Sequence, residues 1–373
     1  MTRASIEKEL LQWMKCGDWS PDPKRFERIA LSLFEFQSAH CNPYSRLGSA
    51  IGRTPEMVRE AKDIPAVPTG AFKEFALRCF DADRTIRTFH TSGTSTDRRG
   101  ALHLDRLDLY DASLLASLRY ALLVQSDGDP AIDRMRFLVA SPDEAPDSSL
   151  SYMFGELSRV EGGHGCGFDL HDGELDRTSL QAAVQQARVD NSPMLLAGTA
   201  FAFVHFLDRP DSEDWTLPEG SRVMETGGFK GSIREVTRSE LHAQLAARFS
   251  IPDRSIINQY GMTELGSQFY DSTLVDPDGP RRKLIPPWTR VRFVDPATAE
   301  DVQAGEIGMI LIQDLANTGS IAAIQTADLG REILDDEARS IGFEVIGRAE
   351  GAEARGCSIA TDIMLEASRG DGR

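Results

Sequence analysis

One stretch of the sequence decides how the fold is interpreted, Phe89-His90-Thr91-Ser92-Gly93-Thr94-Ser95-Thr96-Asp97-Arg98-Arg99-Gly100. Small hydroxyl residues and glycines let the backbone approach an anion, so that its N–H groups can point at phosphate oxygens. Residues 84–89 are predicted as a strand, and residues 105–124 carry leucines at helical spacing. A strand, a hydroxyl-rich loop and a helix are typical of a phosphate cradle, whereas a mobile surface loop is the alternative.

A second stretch favours the phosphate cradle, Ile256-Ile257-Asn258-Gln259-Tyr260-Gly261-Met262-Thr263-Glu264. Here an apolar strand end runs into a turn that presents an aromatic ring, a hydroxyl and a carboxylate. A hard cation such as Mg²⁺ prefers a carboxylate oxygen alongside phosphate oxygens. The alternative is an ordinary turn followed by an acidic residue in the first turn of a helix.

Together the two stretches resemble the adenylate-forming enzymes, the acyl-CoA synthetases and their relatives. In that superfamily a Thr-Ser-Gly-Thr loop holds the ATP phosphates, and a Tyr-Gly-Met-Thr-Glu segment positions the adenylate and binds magnesium. Further segments are similar to the LuxE-type acyl-protein synthetases and to an adenylating protein of phenazine antibiotic biosynthesis. These segments are residues 64–68 with Phe72-Lys73, Glu225-Thr226-Gly227-Gly228-Phe229-Lys230-Gly231, and Glu353-Ala354-Arg355-Gly356-Cys357.

The composition limits the possible partners. The 373 residues suffice for two domains or one large α/β body, and a hydrophobic fraction of 41% is ample for a core. A net charge of −17 argues against nucleic acid, which requires a basic surface. It does not argue against ATP, because a local pocket can be positive on an acidic protein.

Localisation and metal content are predicted from simple patterns. The chain begins without the apolar run of a signal peptide, and no stretch is long enough to cross a bilayer. The five cysteines are widely spaced, with no Cys-x-x-Cys pair, which suits free thiols in a reducing cytoplasm. The seven histidines do not pair with cysteines at ligand spacing, so no structural zinc is expected.

Alternating elements predict an α/β fold with a mostly parallel sheet covered by helices. Residues 135–140, 194–197, 222–225 and 255–257 are predicted as strands, and residues 178–187, 199–207 and 241–249 as helices, the last opened by a Thr237-x-x-Glu240 capping box. Ligands bind beyond the carboxyl ends of such strands, where residues 226–228 and 260–261 fall. Phe201, Phe203, Phe206 and Trp215 could line an apolar pocket or simply be core.

The domain prediction follows the resemblance. Residues 1–345 form an adenylate-forming core, comprising a helical part over residues 1–62, α/β sheets over 63–287 and a small β subdomain over 288–345. Residues 346–373 are predicted to be a short remnant with a disordered tail. The resemblance implies a further C-terminal domain ending in a lysine that assists adenylation, so that domain is expected to be truncated here. No lysine follows Lys283.

The resemblance implies roles for residues of the two stretches. Glu264 would bind Mg²⁺, Thr263 would hydrogen-bond the phosphoryl group, and Tyr260 would flank the adenine or the acyl group. Arg98 and Arg99 stand where the family usually has a lysine. The residues expected to hold the nucleotide in these stretches are Thr91, Ser92, Gly93, Thr94, Ser95, Tyr260, Gly261 and Met262.

Further site residues are implied outside the two stretches. An adenine could lie against the peptides of Gly227 and Gly228, and Lys230 could meet the carboxylate or a phosphate. Asp328 would hold the ribose hydroxyls, and Arg348 could reach the same ribose or a phosphate. Taken singly, these are ordinary turn residues or surface charges, and Lys73 is either a site cation or a solvated one.

Cys357 is the candidate acyl carrier, because the similar synthetases carry their acyl group on a cysteine near the carboxyl end. A thiolate suits attack on a mixed anhydride, and Arg355 would lower the pKa of that thiol. The alternative is a small buried residue in a strand.

The predicted function is ATP- and Mg²⁺-dependent activation of a carboxylic acid to an acyl- or aryl-adenylate, followed by transfer to a thiol. The acid would be a fatty acid or an aromatic acid such as a phenazine carboxylate. An acyl-accepting reductase or carrier protein would be the partner, and the product would feed reduction to an aldehyde. The alternatives are an acyl-CoA ligase similar to phenylacetate-CoA ligase and a catalytically impaired nucleotide- or ligand-binding protein. A homodimer stays open.

Overall fold

The computed structural model describes residues 1–92, 98–125, 131–132, 134–209, 212–227, 236–349, 361 and 363–365. The chain divides into two compact units that are interleaved along the sequence. The first unit comprises Met1–Ala116, Met262–Gln268 and Arg282–Arg373, and the second comprises Ser117–Gly261 and Phe269–Arg281. The sequential domain division predicted from the sequence stays a prediction.

Helices occur in both units. They are α1 (Arg3–Lys15), α2 (Pro23–His40), α3 (Asn42–Ala50), α4 (Ala71–Glu74), α5 (Asp108–Ala121), α6 (Ser149–Glu161), α7 (Arg177–Asp190), α8 (Ala200–Leu207) and α9 (Arg238–Phe249). Side-chain hydrogen bonds cap the N-termini of several helices. For example, the Asp22 carboxylate accepts from the Arg25 N–H at the start of α2, and Pro23 is the first residue of that helix, where a proline is well tolerated.

The strands form two larger sheets and two hairpins. They are β1 (Val67–Pro68), β2 (Arg87–His90), β3 (Ala101–Leu104), β4 (Arg134–Leu138), β5 (Gly167–Phe168), β6 (Leu170–His171), β7 (Glu174–Leu175), β8 (Met194–Thr199), β9 (Arg222–Thr226), β10 (Ile256–Tyr260), β11 (Phe269–Tyr270), β12 (Thr289–Val294), β13 (Gly308–Asp314), β14 (Ala323–Leu334) and β15 (Ser340–Arg348).

The second unit contains the parallel sheet that the sequence predicts. Its strand order is β11-β10-β9-β8-β4-β5, and only the edge strand β11 runs antiparallel to its neighbour. Strand β8 is buried along nearly its whole length, as a strand with both faces covered must be. The α/β prediction is thereby confirmed.

The aromatic residues near α8 belong mainly to the core of the second unit. Phe203, Phe206 and Trp215 are buried in one apolar cluster, and the rings of Phe206 and Trp215 meet edge to face at 4.9 Å. Phe201 differs, since 48% of it is exposed. Three of the four candidate pocket residues therefore stabilise the fold.

The first unit holds an antiparallel sheet in the order β1-β14-β13-β12, to which β15 is added beside β14. Only β1 pairs in parallel, with β14. Strands β12, β13, β14 and β15 occupy the region after residue 288, where a small β subdomain was predicted. Helices α1, α2 and α3 account for the helical prediction over the first 62 residues.

The helix predicted over residues 105–124 is present as α5, but a strand between the hydroxyl-rich stretch and this helix was not predicted. That strand, β3, pairs with β2 in an antiparallel hairpin. Residues 101–104 alternate between half-buried and buried positions, which is the two-residue period of a strand. The predicted order of strand, loop and helix is therefore wrong, because β3 separates the N-terminus of α5 from the loop.

No helix among the described residues is long and apolar enough to span a membrane.

The capping box at the start of α9 gives a test of local stability. Thr237 accepts from the Glu240 N–H through its hydroxyl, and the Glu240 carboxylate accepts from the Thr237 N–H at 2.8 Å. Thr237→Ala removes half of this box and should lower the free energy of unfolding by about 1 kcal/mol in urea titrations. Thr178→Ala, an exposed threonine in the first turn of α7 that caps nothing, should change it by less than about 0.5 kcal/mol. Equal effects would contradict the cap's role.

Candidate functional site

The predicted site residues are distributed over both units, and each part is described within its own unit. In the first unit, Thr263 and Glu264 lie in a tight turn closed by the Leu265 N–H, which donates to the Met262 carbonyl at 3.2 Å. The Thr263 hydroxyl donates a long hydrogen bond of 3.4 Å to the His90 carbonyl. His90 is the last residue of β2 and directly precedes Thr91. The two stretches that the sequence singles out therefore meet in space.

The base of the hydroxyl-rich loop is closed by several hydrogen bonds. The Thr91 N–H donates to the Gly100 carbonyl at 2.9 Å, and the Gly100 N–H donates to the Thr91 hydroxyl at 2.9 Å. The Arg99 side chain donates through Nε to the Thr91 carbonyl at 2.7 Å. Arg98 lies 3.8 Å from the carboxylate of Glu74. Arg99 thus fixes the loop base, and Ser92 is exposed beside it.

Glu264 is the most perturbed acid of this unit's candidate site. It is buried, with 6% of its surface exposed, and burial raises the pKa of its carboxyl to about 7. The positive charges of Arg348 and Lys73 oppose that rise in pKa, whereas the negative charge of Asp328 adds to it. Four charged residues among the predicted candidates therefore act on one another.

Asp328 and Arg348 face each other across β14 and β15. They are register partners, and the Arg348 Nε lies 3.4 Å from the Asp328 carboxylate. Arg348 is largely exposed, whereas the carboxylate of Asp328 is mostly buried. The pair can therefore present a carboxylate that accepts from hydroxyl groups and an exposed guanidinium that can bind an anion.

In the second unit, two predicted residues lie at the carboxyl edge of the parallel sheet. Gln259 and Thr226 are register partners, so Gly227 and Tyr260 come next on adjacent strands. Gly227 has a φ of +89°, and an added Cβ would meet no atom within 4 Å. A flat ring could therefore approach its backbone closely.

A buried polar cluster supports this edge and was not anticipated from the sequence. The carboxylate of Glu225 accepts from Asn258 Nδ2 at 2.8 Å and contacts His242 Nε2 at 3.1 Å. Arg238 lies 3.2 Å away through its Nε. The cluster ties the ends of β9 and β10 to α9. A glutamate on a buried strand was the available signal, because such a charge requires partners.

Several predicted residues lie outside the described part of the chain: Gly93, Thr94, Ser95, Gly228, Lys230 and Cys357. Their roles stay predictions.

The residues of the first unit can be compared with the needs of Mg²⁺. Among the described residues, no group of three or more His, Cys, Asp or Glu side chains could hold a metal ion. Mg²⁺ is usually bound through one or two carboxylates together with substrate phosphates, so a single carboxylate is compatible with it. Glu264 fits, because a cation beside a buried carboxyl group favours its ionised form.

Solved structures identify the fold. One is 2-hydroxyisobutyryl-CoA ligase in an open conformation with 2-HIB-AMP and CoA, with a TM-score of 0.61, 14% identity and coverage of 89% of this chain and 76% of that one. The same ligase in its thioesterification state gives a TM-score of 0.63, 15% identity and coverage of 89% and 70%. The chain has the fold of the adenylate-forming ligases.

Sequence similarity identifies the family. The profile of the LuxE acyl-protein synthetases matches residues 175–366. The chain therefore belongs to the LuxE acyl-protein synthetase family, and it is a ligase. It is similar to the long-chain-fatty-acid–luciferin-component ligases of Vibrio harveyi, at 22% identity over 92% of this chain and 89% of that protein, and of Aliivibrio fischeri, at 24% identity over 82% and 79%.

The raised pKa of Glu264 predicts a pH-dependent effect on stability. Between its ordinary pKa of 4.5 and about 7, the unfolded chain ionises this carboxyl while the folded chain keeps it protonated. Stability contributed by the protonated carboxyl is therefore complete below pH 4.5 and lost as pH rises through about 7. Glu264→Gln should gain about 3 kcal/mol in free energy of unfolding relative to the wild type on going from pH 4 to pH 8. Parallel pH profiles of the two proteins in urea titrations would contradict the assignment.

Proposed function

We propose that this ligase activates a carboxylic acid with ATP and passes the acyl group to a thiol. In the first step a carboxylate oxygen bonds to the α-phosphorus of ATP, and the bond between the α- and β-phosphates breaks to release pyrophosphate. In the second step a thiolate bonds to the acyl carbon, and AMP leaves. Membership of the acyl-protein synthetase family supports both steps.

One observation carries the proposal. The hydrogen bond from Thr263 to the His90 carbonyl brings the Thr263-Glu264 turn to the base of the hydroxyl-rich loop that begins at Thr91. A triphosphate held by that loop would therefore lie near a hydroxyl donor and a carboxylate. Phosphoryl and nucleotidyl transfer depend mainly on such positioning and on charge stabilisation.

The charged residues of the first unit would have different roles in binding ATP and Mg²⁺. Glu264 would hold Mg²⁺ together with phosphate oxygens, and the ion would offset charge on the departing pyrophosphate. Lys73 and Arg348, which already act on the Glu264 carboxyl, would offset the remaining negative charge. Asp328 would accept from the ribose hydroxyls, as its nearly buried carboxylate permits.

The edge of the second unit's sheet suits a planar group. Gly227 offers an open backbone, and Tyr260 lies beside it at the end of β10. We propose that the adenine or the acyl group occupies this edge, with Gly228 and Lys230 contributing from residues beyond the described part of the chain.

A long-chain fatty acid is the first candidate substrate, because the relatives in Vibrio harveyi and Aliivibrio fischeri are named for such acids. An aromatic acid such as a phenazine carboxylate is the second. The acceptor would be Cys357, a thiol of a partner carrier or reductase that goes on to form an aldehyde, or coenzyme A.

Pyrophosphate release tests the first step. The protein should release pyrophosphate from ATP and Mg²⁺ only when a suitable acid from a panel of fatty and aromatic acids is present. Glu264→Gln should lower that rate by about 100-fold, the usual effect of removing one charge-stabilising group. Glu300→Gln, the same change at an exposed position of the first unit, should leave the rate unchanged.

Other outcomes separate the alternatives. Nucleotide binding without release for any acid would contradict the proposed ligase reaction and favour a binding protein. Product formation that depends on coenzyme A would identify an acyl-CoA ligase instead.

Acyl transfer to Cys357 gives a separate test. Incubation with ATP and the true acid should add one acyl mass to the protein, and hydroxylamine should remove it, because thioesters are labile to this nucleophile. Cys357→Ser should abolish that mass while pyrophosphate is still released, since the thiol acts only in the second step. Cys16→Ser, at an exposed free cysteine, should keep the acyl mass. Unchanged transfer to an acceptor protein by Cys357→Ser would make Cys357 structural.

A further inference from the structure

The segment carrying Glu264 requires support that helices and strands do not provide. Residues 264–267 adopt neither regular structure, yet all four are buried. Buried backbone groups outside regular structure need other hydrogen-bonding partners. In the first unit these partners come from the turn between β13 and β14, residues 314–317, which we call the 314–317 turn.

Asp314 holds the backbone just after Glu264. Its carboxylate is fully buried and accepts from the Gly266 N–H at 2.8 Å and from the Ser267 hydroxyl at 2.7 Å. The same carboxylate accepts from the Ala316 N–H at 3.0 Å, which shapes its own turn. One side chain therefore fixes two consecutive residues of the Glu264 segment.

Asn317 holds Glu264 itself. Its Nδ2 donates to the Glu264 carbonyl at 2.8 Å and to the Ile321 carbonyl at 3.0 Å. Gln37 of α2 in turn fixes this turn, since its Nε2 donates to the Asn317 carbonyl at 2.9 Å and its Oε1 accepts from the Ala322 N–H at 3.1 Å. Asn317 thus links α2 to the peptide of Glu264, through its backbone carbonyl on one side and its side-chain amide on the other.

The two segments approach closely at position 266, where a larger residue than glycine would be crowded. A Cβ on Gly266 would lie 3.0 Å from the Cβ of Ala316 and 3.3 Å from its carbonyl carbon. The 314–317 turn leads directly into β14, which carries Asp328. A fixed 314–317 turn therefore also fixes Glu264 relative to Asp328 and its partner Arg348.

We propose that Asn317 and Asp314 are positioning residues that set where the Glu264 carboxylate lies among Lys73, Asp328 and Arg348. They touch no reacting group, and they act through the backbone of residues 264–267. This inference rests on the proposed function of Glu264. It predicts that losing Asn317 changes the behaviour of Glu264 specifically, whereas a purely structural role would lower stability alone.

The first test uses no ligand. Asn317→Ala frees the Glu264 peptide, so the loss in free energy of unfolding that it causes in urea titrations at one fixed pH should be smaller in the Glu264→Gln protein than in the wild type, because the carboxylate that Asn317 positions is then gone. Gln313→Ala is the matched control. Gln313 is a buried amide one residue before Asp314, and its Nε2 donates to the Ala61 carbonyl instead. That variant should cause the same loss in both proteins.

The second test measures ATP binding by calorimetry with and without Mg²⁺. Asn317→Ala should weaken the Mg²⁺-dependent gain in ATP affinity by about 10-fold, the usual effect of changing a residue that orients a ligand side chain. ATP affinity without Mg²⁺ should be unchanged. In the Glu264→Gln protein, Asn317→Ala should cause no further loss, because the carboxylate that it positions is already gone. Asn317→Asp, which keeps the shape but sets a carboxylate against two carbonyl oxygens, should behave like Asn317→Ala.

Either of two results would overturn the inference: equal losses in free energy of unfolding from Asn317→Ala in the wild type and in the Glu264→Gln protein, or equal losses of ATP affinity with and without Glu264. If Asn317→Ala does not fold, Asn317→Asp decides through the ATP measurement. Failure of the proposed function looks different. Pyrophosphate release would then be absent with every acid, although Asn317 and Glu264 were still coupled in stability.

Discussion

Residues 264–267 are buried without belonging to a helix or a strand, and the need to satisfy their backbone polar groups organises much of the first unit. The hydrogen-bonding partners of these groups are side chains from distant parts of the chain. Asp314 and Asn317 bond the segment directly, Gln37 bonds the turn that carries them, and Glu7 of α1 accepts from the Thr318 hydroxyl at 2.8 Å. The N-terminal helices are therefore part of the support of the candidate site.

Burial of the Glu264 carboxyl costs stability, and the hydrogen bonds to residues 264–267 offset that cost. An acid with a pKa near 7 is poorly solvated, and such perturbed groups cluster at functional sites. Asp314 is a second buried acid, and burial raises the pKa of its carboxyl to about 6 even though hydrogen bonds from Ser267, Ala316 and Gly266 favour the ionised form. Two buried acids with raised pKa values lie in adjoining segments. Their burial is better explained by the need to hold a charge in position for function than by a contribution to stability.

Local patterns allowed much of the fold to be predicted. The Thr237 capping box marks α9, the apolar run at β8 marks a buried strand, and the register of β9 with β10 has Gly227 and Tyr260 at one edge, as predicted. Helix α6 was not predicted, and neither was strand β3, which is only four residues long. Asn317 and Glu225 could not be identified as supports, since their partners are fixed by tertiary contacts and not by spacing.

The Gln37–Asn317 hydrogen bond joins residues 280 positions apart, which has a consequence for how the protein is made. Contacts of such sequence separation form late, because the intervening chain must first be available and ordered. Glu264 leaves the ribosome 53 residues before Asn317, an interval of about 3–10 s at usual rates of synthesis. The hydrogen bond from Asn317 to the Glu264 carbonyl can therefore form only after Asn317 has been synthesised, and the Glu264 segment lacks this support until then.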